Sequence, residues 1–239
     1  MRLATAAIGD QPRLPKVLWV PDTNYKALVL TDSNIKVTVN DLRICYENLL
    51  SSMLTQLHDP SYNFGADNLV MIIKNILQEN STMDRMSNQQ IGYSFITEPS
   101  NQYAIHRHRL LSYLLSKSES RQRFTKSVGI DGSIVWNKEA IRRWLKEGVR
   151  LQKRLLTAIH ITYGQPSRGE ELASLLYSNS LTGDRSIYWM TAYETIMIAT
   201  PYSKSREITA SDRYTARYLP KDLSYILMGY LVFIRPLEW

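Results

Sequence analysis

Apolar residues recur at three- and four-residue steps in several stretches of the chain, and that spacing predicts helices. Leu42, Cys45, Tyr46, Leu49, Leu50, Met53 and Leu57 set the first, from about Thr38 to His58, with Asn40 or Thr38 as the cap. Asp59, Pro60 and Gly65 interrupt the pattern before a second helix over about 66–78, carried by Leu69, Ile72, Ile73 and Ile76. Residues 79–89 read as a polar loop, and Gly92 to Pro99 as an aromatic connector. A third helix is expected from about Ala104 to Ser118, with Leu110, Leu111, Leu114 and Leu115 inward. Residues 119–137 read as a basic, glycine-containing linker. The most regular element is a long helix over Asn137–Tyr163, with Asn137 as its cap. Ahead of all of these, residues 1–35 read as an irregular arm punctuated by Gly9, Pro12, Pro15 and Pro21.

After Gly164 the periodicity changes. Ser167 followed three residues later by Glu170 has capping-box spacing and predicts a helix to about Tyr177. Ser186–Ala192 and Thr195–Tyr202 are β-branched and aromatic runs around a turn at Tyr193-Glu194, a hairpin pattern. A polar loop, 203–212, carries Lys204 and Arg206, and a third strand over Tyr214–Leu219 ends at Pro220. A last helix is expected from Lys221 to about Ile234, stopped by Pro236. The fold class is therefore α+β and mostly helical. It divides into an arm (1–35), a helical lobe (36–125) and a second domain (126–239) that carries a small three-stranded antiparallel sheet.

Composition narrows the picture. The chain has 239 residues, 44% of them hydrophobic, enough for one large domain or two modest ones. One cysteine, Cys45, and four histidines support neither a disulfide framework nor a cysteine-rich zinc site. Residues 1–9 are too short and too weakly apolar for a secretory signal. The longest apolar run, Leu223–Ile234, falls short of the roughly 20 residues that cross a bilayer. These features fit a soluble, intracellular protein without a membrane partner.

Charge changes the picture more. Lys and Arg outnumber Asp and Glu by 29 to 22, a net of +7. Residues 101–160 alone carry thirteen of the basic residues and four of the acidic ones, so one segment supplies all of the excess. Within it the long helix sorts its charges by angle. At about 100° per residue, and with Arg142 set to zero, Arg142, Arg143, Lys146, Arg150, Lys153 and Arg154 fall within roughly 0–120°. Ile141, Trp144, Leu145, Val149, Leu151, Leu155, Leu156 and Ile159 fall within roughly 180–340°. One face is core. The other is a cationic stripe that Glu139 and Glu147 are too few to neutralise. Such a stripe points to a polyanionic partner.

A resemblance adds to this. The segment Tyr163-Gly164-Gln165-Pro166-Ser167-Arg168-Gly169-Glu170-Glu171-Leu172 resembles the stretch of tyrosine recombinases and phage-type integrases that bears their first catalytic arginine. Strands follow, then a loop lysine, then a strand ending Arg217-Tyr218-Leu219-Pro220, in the family's order. Gly92-Tyr93-Ser94-Phe95 together with Gln165-Pro166-Ser167-Arg168-Gly169 is similar, over about residues 90–239, to an uncharacterised recombinase-like domain of fungal proteins, some with RecQ-type helicase regions. The resemblance implies a core-binding-like lobe over 36–125, a mobile-element origin and a nuclear location. It also implies that Arg168 grips a phosphate and that Lys204 protonates a leaving 5′ oxygen. Arginine suits the first role because its guanidinium binds phosphate oxygens in bidentate fashion.

The departures weigh as much. The family places a His-x-x-Arg box and a nucleophilic tyrosine well beyond the third strand, and the chain ends at Trp239. His106-Arg107-His108-Arg109 has the letters of the box but precedes Arg168, so Arg107 and Arg109 are counted with the basic surface. The expected chain is therefore a truncated recombinase-like domain that does not cleave DNA as it stands. Glycine-rich phosphate loops, His-Glu-x-x-His and Gly-x-Ser-x-Gly are missing, and no cofactor or metal is implied. The expected function is binding of DNA phosphates through Arg107, Arg109, Arg142, Arg143, Lys146, Arg150, Lys153 and Arg154, joined by Arg168 and Lys204. Two alternatives stand beside it: a recombinase scaffold reused to bind a protein partner, and a fragment of an active recombinase.

Overall fold

The computed structural model describes residues 17–20, 27–30, 33, 35–58, 82–162, 164, 169–202 and 213–238. The helix expected over 66–78, the Ser167-Arg168 pair and Lys204 lie outside these residues. The chain divides into two compact units, Met1–Asn48 and Leu49–Trp239.

The first unit corrects the expectation of an irregular arm. Strands β1 (Val17–Trp19), β2 (Ala27–Leu30) and β3 (Ile35–Thr38) form an antiparallel meander, with Leu18 opposite Val29 and Leu28 opposite Val37. Pro12, Pro15 and Pro21 lie outside the described residues. Helix α1 (Val39–His58) follows without a break. Thr38, not Asn40, caps it: the Asp41 amide donates to Thr38 Oγ1 (3.1 Å) and the Thr38 amide donates to Asp41 Oδ2 (2.7 Å). This reciprocal pair satisfies two otherwise orphaned donors. The Thr38 amide and hydroxyl both donate to Asp41 Oδ2, at 2.7 and 2.8 Å, and hold the Asp41 carboxyl below its ordinary range.

The second unit is the mostly helical α+β body. A single 3₁₀ turn, Tyr103–His106, and helix α2 (Arg109–Ser116) stand where one helix over 104–118 is expected. The stretch expected to be a linker is structured. Helix α3 (Ser118–Phe124) leads into a hairpin of β4 (Thr125–Val128) and β5 (Ile134–Trp136), closed by the Gly129 amide donating to the Ser133 carbonyl (2.7 Å). A seven-residue helix and strands of four and three residues are too short to show a period in sequence.

Helix α4 (Lys138–Thr162) matches the expected long helix closely. Asn137 Oδ1 accepts from the Ala140 amide (3.3 Å), the capping bond. At the other end Gly164 has φ +91°, a left-handed conformation that glycine adopts without a Cβ penalty. Trp144, Gly148, Leu151, Leu155, Ala158 and Ile159 form its buried stripe. A Cβ on Gly148 would approach Glu238 Oε1 to 3.3 Å, so the small residue admits the Glu238 carboxylate beside the helix. That carboxylate accepts from Tyr230 (3.0 Å to Oε2) and from Arg235 (2.6 Å).

Helix α5 (Gly169–Ala173) is shorter than the expected helix to Tyr177. The second sheet agrees with expectation: β6 (Ile187–Met190), β7 (Thr195–Tyr202) and β8 (Arg213–Tyr218) are antiparallel in the order β6-β7-β8. Ile187, Trp189, Ile196 and Ile198 are buried from its inner positions. Helix α6 (Lys221–Gly229) packs on β7 and α4, then widens into a π turn at Tyr230–Ile234 instead of continuing as regular helix. Every residue from Ile226 to Ile234 is buried, so this segment is core on all sides. Ser224 of α6, also fully buried, accepts from the Ile196 amide (3.0 Å) and donates to the Pro220 carbonyl (3.0 Å), tying the helix to the sheet. Among the described residues no helix is long and apolar enough to cross a membrane.

Candidate nucleic-acid interface

The cationic face rests on the amphipathicity of α4. With one stripe locked into the core, the opposite arc has to face outward, and Arg142, Arg143, Lys146, Arg150 and Lys153 are all exposed. Eleven residues separate the first from the last, about 16 Å along the axis at ~1.5 Å per residue. Two of the five have local partners. Arg143 Nη2 lies 3.8 Å from Glu139 Oε1, and Arg150 pairs with Glu147. The first pair is exposed on both sides and contributes only about 0.3–0.5 kcal/mol, so Arg143 can exchange its carboxylate for a phosphate. Glu147 is only 18% exposed, but Arg150 is 65% exposed and pairs through Nη1, so its other guanidinium donors stay open to a phosphate. The side-chain cations of Arg142, Lys146 and Lys153 make no ion pair or hydrogen bond with the described residues.

The sixth member of the stripe is engaged elsewhere. Arg154 is half-buried and donates to Gln56 Oε1, while Gln56 Nε2 donates to the Glu147 carbonyl (2.9 Å). Its role is to fasten the last turns of α1, which belong to the second unit, against α4, and it is removed from the exposed set. Angle alone could not reveal this, because Arg154 sits at the edge of the cationic arc beside a helix distant in sequence.

Arg107 and Arg109 are exposed at the start of α2. No hydrogen bond or ion pair among the described residues joins them to the stripe. Their neighbour His106 lies tilted against Phe233, with ring centroids 6.1 Å apart, and burial together with the Arg109 charge lowers its pKa. Lys117, Arg121, Arg123 and Lys126 are also exposed on α3 and β4. Arg217, expected in the strand before Pro220, is buried and donates to Thr200 Oγ1 (2.8 Å).

The most enclosed cation among the described residues was missed entirely by sequence reasoning. Arg185 is 2% exposed, and its Nη2 lies 2.7 Å from the fully buried Asp84 carboxylate. Asp84 Oδ2 also accepts from Arg185 Nη1 and from the Trp189 amide, both at 2.9 Å. The guanidinium stacks on Tyr188 (4.4 Å) and Tyr93 (4.9 Å), and burial raises both phenol pKa values. These contacts fasten the 82–93 segment to the β6 edge. Every polar group of this cluster is turned inward, so it reads as architecture rather than as a site open to a ligand. The only signal in sequence was Tyr93 in the aromatic connector, and nothing tied it to Asp84 or Arg185.

Among the described residues no group of three His, Cys, Asp or Glu side chains is placed to hold a metal ion. No protein-family model matches the chain, and no solved structure matches it either.

Proposed function

We propose that this protein binds duplex DNA through phosphate contacts made by the exposed face of α4, without turning the DNA over. The observation that carries the reading is the placement of Arg142, Arg143, Lys146, Arg150 and Lys153 outward along one uninterrupted helix. Phosphates follow one another at about 3.4 Å of axis per strand, so a cationic face about 16 Å long can meet roughly five of them. Five exposed cations and about five phosphates are matched in number. Contacts of this type position a protein without reading sequence, and a helix face without a cluster of base-reading side chains fits that use. The resemblance to tyrosine recombinases supports the same partner. It adds Arg168 and Lys204 as phosphate contacts outside the stripe.

Fluorescence anisotropy with a short labelled duplex at two or more salt concentrations tests the proposal. Neutralising about five phosphates at the stripe alone contributes about −4.5 to the log-log salt slope. Reversing two charges, in Arg143→Glu/Arg150→Glu, should bring that contribution toward about −2.7 and weaken binding sharply at low salt. Arg168→Ala should cost a further, smaller amount if phosphate reaches that residue. Failure to bind at low salt sinks the proposal. An unchanged slope in the double variant would move the contact away from α4.

A further inference from the structure

An open groove lies beside the first turns of α4, on the side away from the stripe. Leu111, Leu114 and Leu115 of α2 line it together with Phe124, Trp136 and Trp144. Its volume is about 510 Å³, inside the roughly 300–1,000 Å³ of small-molecule sites, which are mostly apolar with a few convergent polar groups. Lys138 is the one charged residue in the lining. By angle Lys138 falls at about 320°, among the apolar positions of the helix and outside the arc of the stripe. It is exposed and makes no ion pair or hydrogen bond with the described residues. Its neighbour Glu139 is turned to Arg143 instead.

We propose that this groove binds a single-chain anionic amphiphile, its hydrocarbon tail against the leucine and tryptophan walls and its carboxylate or equivalent head on Lys138. Charge complementarity selects the head. The lining holds one ammonium and no carboxylate, and α2, α3 and the hairpin around it carry Arg109, Lys117, Arg121, Arg123 and Lys126 against Glu119 and Asp131. Shape selects the tail, because the walls offer hydrocarbon and ring faces with little to hydrogen-bond a polar body. The inference is independent of DNA binding: it uses the opposite side of α4 and no residue of the stripe.

Calorimetric titration of the full chain with decanoate, and with decyltrimethylammonium as a cationic head on the same tail, provides the test. Saturable binding of decanoate at one site per chain is expected, with the cationic analogue at least several-fold weaker. Affinity should rise about fifteenfold for each two methylenes from octanoate to dodecanoate, at ~0.8 kcal/mol per buried methylene. Lys138→Glu should invert the head-group preference, and Lys138→Arg should retain it. Trp136→Ala should weaken both ligands without changing the preference. Lys138 and Trp136 are both exposed, so neither change threatens the core, and circular dichroism verifies that the variants fold. Non-saturable uptake overturns the proposal, as does a head-group preference that Lys138→Glu leaves untouched. Self-association through the groove, lost in Trp136→Ala while decanoate does not bind, would overturn it in favour of a second copy of the chain.

Discussion

The protein uses arginine in two opposite ways, and the contrast lies between α4 and the edge of the second sheet. On α4 the guanidiniums of Arg142, Arg143 and Arg150 stand in water, with weak local partners or none among the described residues. At β6 the guanidinium of Arg185 is sealed between Tyr93 and Tyr188 and held by a carboxylate that is itself fully buried. An exposed cation contributes little to folding and stays available to a partner. A buried cation is bound to its counter-ion by the cost of leaving either one unpaired, and is available to nothing else. The number of basic residues in a segment therefore says less about binding than the number left facing water.

The sharpest way to break the contrast is at Arg185. Arg185→Met leaves the Asp84 carboxylate buried without its cation, and a loss of about 3–5 kcal/mol in urea denaturation is expected. Pairing it with Asp84→Asn should recover part of that loss. A loss below about 1 kcal/mol for the single change would mean that the cluster is looser than its contacts indicate. The next effect is at the cap of α4, the helix that presents the exposed cations. Asn137→Ala removes the bond to the Ala140 amide and should cost about 1 kcal/mol in thermal denaturation. The stripe itself should be nearly silent in folding. Arg142→Gln/Lys146→Gln should shift stability by no more than about 0.5 kcal/mol, while shortening the DNA salt slope by about 1.8.

His106 lies between the two extremes, half-buried against Phe233 and beside the charge of Arg109. Its pKa is lowered in the folded protein from 6.5, chiefly by burial. The unfolded chain therefore takes up this proton first as pH falls. Stability attached to the neutral ring is present above about pH 6.5, declines below it, and levels off once the folded form is protonated as well. Denaturation midpoints compared at pH 7.5 and 5.5 should differ less in His106→Phe than in the parent. An unchanged difference would assign the pH dependence to other groups.

Most of what could be read in advance concerns elements long enough to show a period. Helix α4 repeats its core residues over seven turns, and its cap Asn137 stands at its expected place. Strands β6 to β8 were legible because β-branched and aromatic runs alternate with turn residues. The hairpin β4–β5 and the meander β1–β3 were not, since three- and four-residue strands owe their existence to pairing rather than to pattern. The candidate site divides in the same way. Which cations share an arc follows from helix angle, whereas the diversion of Arg154 to Gln56 depends on a helix nearly a hundred positions away.

By itself, then, the sequence determined the α+β class, the long amphipathic helix, the second sheet and the location of the positive charge. All of these are local or periodic, and a period of 3.6 or 2 dictates which side of an element is buried. Only the tertiary structure decided which cations remain in solvent, that Asp84 meets Arg185 from 101 residues away, and that Lys138 borders an apolar groove. Those outcomes depend on which surfaces meet once elements distant in sequence have packed, and no periodicity within one element carries that information.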